Sequence, residues 1–182
     1  MTLDQRQRDF VCHLLSLAQE GREDRGALAD LRSGLGREPG QMARVHRHVV
    51  PYLPDDKRYN DRWYYLTATL FGLYPKHRSG YSLGRAFRPP KANSDSTERR
   101  FTALLNADAD DLGGHLRHVV SLLKSGEQPL DWHRLLGDLL QWSHPEGHVQ
   151  LRWARDFYQQ DYKQDNNSST EKSVEEEEKD HE

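Results

Sequence analysis

An all-α fold of about eight helices is predicted, with an N-terminal helical half and a C-terminal half resembling a four-helix bundle. Three observations lead there. Apolar residues recur at three- and four-residue spacing through most of the 182-residue chain. No segment sustains the alternation of a strand. Capping residues, glycines and prolines fall at the ends of the periodic segments, where helices start and stop.

The first helix is expected between about residues 4 and 20, where Phe10, Val11, Leu14, Leu15, Leu17 and Ala18 recur at helical spacing and Gly21 stops the run. The second runs from about Asp24 to Leu35, gathering Ala27, Leu28, Leu31 and Leu35 on one side. Arg25 and Arg32, seven positions apart, project together from the opposite side. After the turn signature Arg37-Glu38-Pro39-Gly40, a short helix is expected over Met42 to Val50, ending near Pro51 and Pro54. An aromatic helix follows from about Asn60 to Tyr74, with Trp63, Leu66, Thr67, Leu70, Phe71 and Tyr74 on a core-facing side. Residues 75–95, with two glycines, three prolines and three serines, read as a long loop.

A helix then begins at Ser94 or Asp95, where Asp95 and Glu98 resemble a capping box, and packs through Phe101, Leu104 and Leu105. Asp108 to Lys124 carries the cleanest stripe, Leu112, Leu116, Val119, Val120 and Leu123, with Gly126 as its stop. Asp131 caps a helix reaching Trp142, and Pro145 suits the first turn of a last helix that packs through Val149, Trp153 and Phe157. The divisions expected are residues 1–75, a basic loop over 76–94, residues 95–164, and a disordered acidic tail over 165–182.

Only 35% of residues are apolar, 30% are charged and the mean hydropathy is -0.99, so the core must be economical. The length excludes a large multidomain enzyme. No stretch approaches the roughly 18 apolar residues of a spanning helix, and Met1 to Phe10 is too polar for a signal peptide, so a cytoplasmic protein without membrane contact is expected. Cys12, the single cysteine, rules out an intramolecular disulfide framework and reads as a spare thiol. The net charge of -3 hides an asymmetry: residues 165–182 hold eight acids against two lysines, whereas residues 1–164 hold 24 Lys plus Arg against 21 Asp plus Glu. The body is therefore mildly basic, and it is rich in arginine, with 19 Arg to 7 Lys in the whole chain. Arginine suits bidentate contacts to phosphate or carboxylate.

The strongest anomaly is the stretch from Arg62 to Ser94, 33 residues without an Asp or Glu, which holds Arg62, Lys76, Arg78, Arg85, Arg88 and Lys91. Tyr74, Tyr81 and Phe87 interleave with these cations and Gly80 and Gly84 keep the backbone pliant, the ingredients of a surface that tracks phosphates and stacks on bases. An uncommitted surface loop is the alternative. Arg25 with Arg32 forms a second basic row, and Arg99, Arg117 and Lys124 a third, with Arg117 and Lys124 seven apart on one flank of the leucine stripe. Such rows position a sugar-phosphate backbone without reading bases; ordinary solvated charge is the competing account.

Catalytic signatures are missing: there is no nucleophile elbow, Walker A loop, dinucleotide-binding glycine turn or CxxC. His144 and His148 lie four apart and His115 and His118 three apart, spacings that suit two ligands on one helix face. No H-E-x-x-H pattern accompanies them, so neither metal nor cofactor is expected.

Three stretches resemble a known family, the small subunit (CasB) of the type I-E CRISPR interference complex, Cascade. They are Arg25-Gly26-Ala27-Leu28-Ala29-Asp30-Leu31-Arg32; Arg99-Arg100-Phe101 with Leu104-Leu105 and His115-Leu116-Arg117; and Leu130-Asp131-Trp132 with Leu135-Leu136, Asp138-Leu139, Trp142 and Trp153-Ala154-Arg155-Asp156-Phe157. Together they span about residues 10–160, and their order and spacing carry the likeness. The resemblance implies a non-enzymatic, all-helical protein present as two copies along the inner face of the assembly. There it would contact other Cascade subunits and help hold the guide RNA, the target strand and the displaced DNA strand, stabilising the R-loop in antiviral defence. By motif match, Arg25, Arg32, Arg99, Arg100 and Arg117 become candidate phosphate contacts, joined by Arg44, Arg78, Arg85, Arg88 and Lys124. Ser33 stands where the family often has a second basic residue. Two other classes stay open: a helical protein-protein adaptor whose arginines pair with acidic partners, and, with no complete ligand set to support it, a small metal-dependent hydrolase.

Overall fold

The computed structural model describes residues 5–54, 58–88 and 94–159. Among these, nine α-helices follow in order: α1 Gln5–Leu17, α2 Arg25–Ser33, α3 Ala43–Val49, α4 Asp61–Leu73, α5 Leu83–Ala86, α6 Ser94–Leu105, α7 Leu112–Ser125, α8 Trp132–Leu139 and α9 His148–Tyr158. Short 3-10 turns at Pro39–Gln41, Val50–Tyr52 and Arg58–Asn60 join them. The one extended pairing among the described residues is an isolated parallel bridge between His77 and Leu130. The all-α expectation holds. The acidic tail over 165–182 lies outside the described residues.

Helix α4 is the axis of the fold. It packs against α2, α3, α7 and α8, and Trp63, Tyr64, Tyr65, Thr67, Ala68, Thr69, Leu70, Phe71 and Gly72 are all buried. The sequence predicts a single core-facing side; the structure instead buries the helix all round, as suits a segment with no charge between Arg62 and Lys76. Close approach by α2 depends on Gly72, where a Cβ would stand 2.7 Å from both the Arg32 amide nitrogen and the Leu31 Cβ. The acid-free run thus has two causes: a central helix over 61–73, then a basic segment beyond it.

The C-terminal helices meet their stripes. On α7, Leu112, Leu116, Val119, Val120 and Leu123 are buried as expected. Asp131 caps α8 by accepting from the Arg134 amide, which stabilises a helix by about 1 kcal/mol. Several boundaries differ from expectation. Helix α8 ends at Leu139, so Trp142 packs from the following turn, its ring 5.1 Å from that of Trp153. Pro145 lies before the last helix, which starts at His148 after a left-handed Gly147. Asp95 is the second residue of α6, inside its first turn, and is therefore no N-cap. Residues 75–95 are no uniform loop, for they contain α5, N-capped by the Ser82 side chain.

One continuous core, from Phe10 on α1 to Phe157 on α9, joins the two halves. Helix α1 itself packs on α8. On α3, which also packs against α1, the Arg47 Nε donates to buried His48 Nε2 at 3.0 Å. His48 therefore carries its proton on Nδ1 and offers it to His13 Nε2, 3.4 Å away. Burial holds both imidazoles below the ordinary histidine value, and Arg47 and His13 depress His48 further against the opposing pull of Asp30 and Asp24. A base depressed in the folded state makes the unfolded chain the better proton acceptor. The stability from this relay is complete above about pH 6.5, the unfolded value, and is lost as pH falls from there through the depressed folded values of the two rings. Melting temperature is accordingly expected to drop more steeply between pH 7.5 and 5 in the wild type than in His48→Gln. Parallel slopes would refute the relay.

Candidate nucleic-acid interface

The segment after α4 is clamped to the start of α8. The Lys76 carbonyl accepts from the Leu130 amide at 3.3 Å and from the Trp132 indole at 3.2 Å, and the Arg78 amide donates to the Leu130 carbonyl. Asp131, 8% exposed, holds both sides of the junction. Its Oδ1 caps α8, its Oδ2 accepts from the Gly80 amide at 2.8 Å, and its own amide donates to the Tyr81 carbonyl at 2.8 Å. Gly80 takes a φ of +79° here, a conformation that strains any residue with a Cβ.

This clamp presents two of the predicted residues together. The guanidinium groups of Arg78 and Arg85 lie over the Tyr81 ring, 4.2 and 4.8 Å from its centroid, and both arginines are exposed. Ring and cations hold each other in place, which reduces the side-chain entropy a phosphate contact would cost. The other two aromatics of the predicted stacking surface are elsewhere. Tyr74 and Phe87 are buried at 8% and 5% exposure, because they belong to the core. Arg88 also turns inward, its Nη2 donating to the Asp156 carbonyl at 2.7 Å. Gly84 supplies close approach where pliancy was expected: α5 lies against α9, and a Cβ at this position would run into the Trp153 carbonyl oxygen and stand 3.0 Å from its carbon.

A second gathering of cations borders a groove of about 370 Å³ between the α2–α3 connection, α4 and α7. Arg117 reaches from α7 onto the backbone of Gly36, whose φ of +74° and missing Cβ leave room for the guanidinium. Arg37 and Arg62 line the same groove, and Arg62 pairs with Asp110 at 2.9 Å. In the sequence Arg37 reads only as part of a turn. Its proximity to Arg117 is purely tertiary.

The remaining candidates are dispersed. Arg25 opens α2, exposed, while Arg32 on the same exposed row is steadied by its Nε donating to the Gly72 carbonyl at 3.0 Å. Arg44 is 78% exposed with its Nη1 3.9 Å from Asp30, whose nearer partner is Arg47 at 2.5 Å. Arg99 and Arg100 lie exposed on α6, with the Arg99 Nε bonded to the Asp95 carbonyl. Lys124 is exposed in the last turn of α7. Cys12 is exposed and free. His144 sits in the turn before α9 and His148 is that helix's first residue, so the two do not share a helix face as their spacing suggested.

Internal ion pairs consume other arginines. Arg134 binds Asp156 at 2.8 Å. Buried Asp138 accepts from Arg152 and from the Trp153 indole, and burial pushes its carboxyl pKa up against the pull of those partners.

Known proteins share this architecture. Residues 27–158 match the family of the CRISPR-associated protein Cse2. A Cse2 protein of Thermus thermophilus is 42% identical over 135 residues, which cover 72% of this chain and 78% of the relative. The crystal structure of a Cse2-family protein from the same organism superposes with a TM-score of 0.73 at 38% identity, over 84% of this chain and 97% of that one. A chain within a CRISPR RNA-guided surveillance complex gives a TM-score of 0.68 at 29% identity, over 85% and 92% of the two chains.

Proposed function

The chain belongs to the Cse2 (CasB) family of CRISPR-associated proteins, and from that premise we propose that it holds nucleic acid sequence-independently within the type I-E Cascade complex. The family is the small subunit of that complex, a non-catalytic structural component of bacterial cytoplasmic assemblies. On this reading the chain binds beside other Cascade subunits and a second copy of itself, in the cytoplasm. Its basic surfaces lie along the guide RNA, the target strand and the displaced DNA strand.

The observation that carries the reading is the Arg78–Tyr81–Arg85 cluster, two exposed guanidinium groups preordered on one ring by a backbone clamp. Such a cluster supplies charge on two preordered guanidinium groups without any element that reads base edges, which suits a complex where base pairing reads the sequence. An R-loop is nearly balanced in energy, so a few kcal/mol of backbone contacts are enough to tip it.

Single-stranded DNA binding by the full chain, measured over a series of salt concentrations, tests the proposal. Each phosphate neutralised on a single strand adds about -0.7 to the slope of log K against log salt, so Arg78→Ala with Arg85→Ala is expected to flatten the slope by about 1.4. Arg25→Ala with Arg32→Ala tests the α2 row in the same way. If neither pair alters affinity or slope, in the isolated chain or in reconstituted Cascade, these faces hold no nucleic acid and the adaptor reading replaces this one.

A further inference from the structure

The corner between α8 and α9 brings together three side chains of metal-ligating type. Ligand atoms of His144, Glu146 and His148 all lie within 4.8 Å of one another. Two of these residues are exposed and His148 is partly covered, so an ion has access from solvent. The sequence pattern is H-x-E-x-H, and it converges because Gly147 turns the chain through a φ of +59°. Backbone bonds fix that turn: the His144 amide donates to the Gln141 carbonyl at 3.1 Å, and the Gly147 amide to the His144 carbonyl at 2.9 Å.

The hydrogen bonds around the rings place the lone pairs. His148 Nε2 lies 2.8 Å from the Gln141 side-chain oxygen, an acceptor, so this nitrogen carries the proton and Nδ1 the lone pair. A metal-bound histidine uses just such a carbonyl partner to fix its tautomer and ring orientation. His144 Nδ1 accepts a long 3.3 Å bond from the Glu146 amide, which an incoming cation would replace at small cost. The ring centroids stand 4.5 Å apart.

We propose that His144, Glu146 and His148 form a binding site for a zinc-type divalent transition-metal ion. Two imidazoles and one carboxylate make the borderline donor set that Zn²⁺ takes, with a fourth, water-filled position. The site ties the turn to the first residue of α9, the helix whose Trp153 packs on Gly84 and whose Asp156 receives Arg88 and Arg134. Metal here stiffens the support on which Arg85 is carried.

The full chain, stripped with chelator and titrated with ZnCl₂, decides the matter by calorimetry and melting temperature. One equivalent is expected to bind and to raise the melting temperature by several degrees. His144→Ala with His148→Ala is expected to abolish both effects, and Glu146→Gln to weaken binding by about tenfold or more. His115→Ala with His118→Ala serves as the control and keeps both. Visible absorption of the Co²⁺-loaded wild type and of Glu146→Gln reports the same donor set should the double variant fail to fold. No rise in melting temperature with zinc overturns the proposal, as does a rise retained without His144 and His148, which would place the ion elsewhere.

Discussion

Gly84→Ala is expected to lower stability by about 3 kcal/mol, near the upper end of the usual cost of overpacking a close contact. In an exposed helix the same change would be favourable by about 1 kcal/mol, since glycine is the poorer helix former. The sign reverses here because the added methyl meets the Trp153 carbonyl oxygen and carbon and lies 3.1 Å from the Asp156 Cβ, all on the neighbouring helix. Backbone atoms cannot rotate away, so α5 must lift off α9. Gly114 supplies the matched control: it is exposed on α7 with nothing within 4 Å of its would-be Cβ. Gly114→Ala is expected to raise stability by about 0.5–1 kcal/mol. Urea denaturation of both variants checks the pair, and a neutral Gly84→Ala would mean that α5 is not seated on α9. If the proposed function holds, the lifted helix, which carries Arg85, also weakens single-stranded DNA binding under conditions where the variant is still folded.

Such contacts mark the limit of what the sequence conveys. The α7 stripe is legible because one side is buried and the other solvated, so hydrophobic period and burial coincide. Helix α4 is less so: burial from all sides leaves no polar face to set the period. The four-residue α5 has no room for a period at all, and its signal is the Ser82 cap. The basic row on α2 is readable from a seven-residue spacing within one helix. The meeting of Arg117 with Gly36 is not, because the two come from segments 81 positions apart. Arginines divide in the same manner. Arg78 and Arg85 remain at the surface while Arg88, three residues on, binds the Asp156 carbonyl. That distinction belongs to packing against α9, and nothing local to residue 88 encodes it.

Asp138 carries the complementary prediction, since the Trp153 that abuts Gly84 through its carbonyl is held at its other end by this carboxylate. Asp138→Ala removes the acceptor of a fully buried indole N–H and the partner of Arg152 at once. An orphaned buried donor costs about 1–3 kcal/mol, and breaking a buried ion pair about 3–5 kcal/mol. The Arg152 side chain is 39% exposed, so solvent recovers part of its loss. A destabilisation of about 3 kcal/mol is therefore expected, roughly 6–12 °C in melting temperature for a chain of this size. Asp138→Asn separates the two contributions. Its amide oxygen still accepts from the indole, so it should retain more than half of what the alanine variant loses. If asparagine and alanine cost the same, charge rather than the Trp153 bond holds the corner. Trp153 also joins this site to the first prediction, so Asp138→Ala and Gly84→Ala should combine to less than the sum of their separate costs. Once either change has shifted Trp153, the other has less native packing left to disturb.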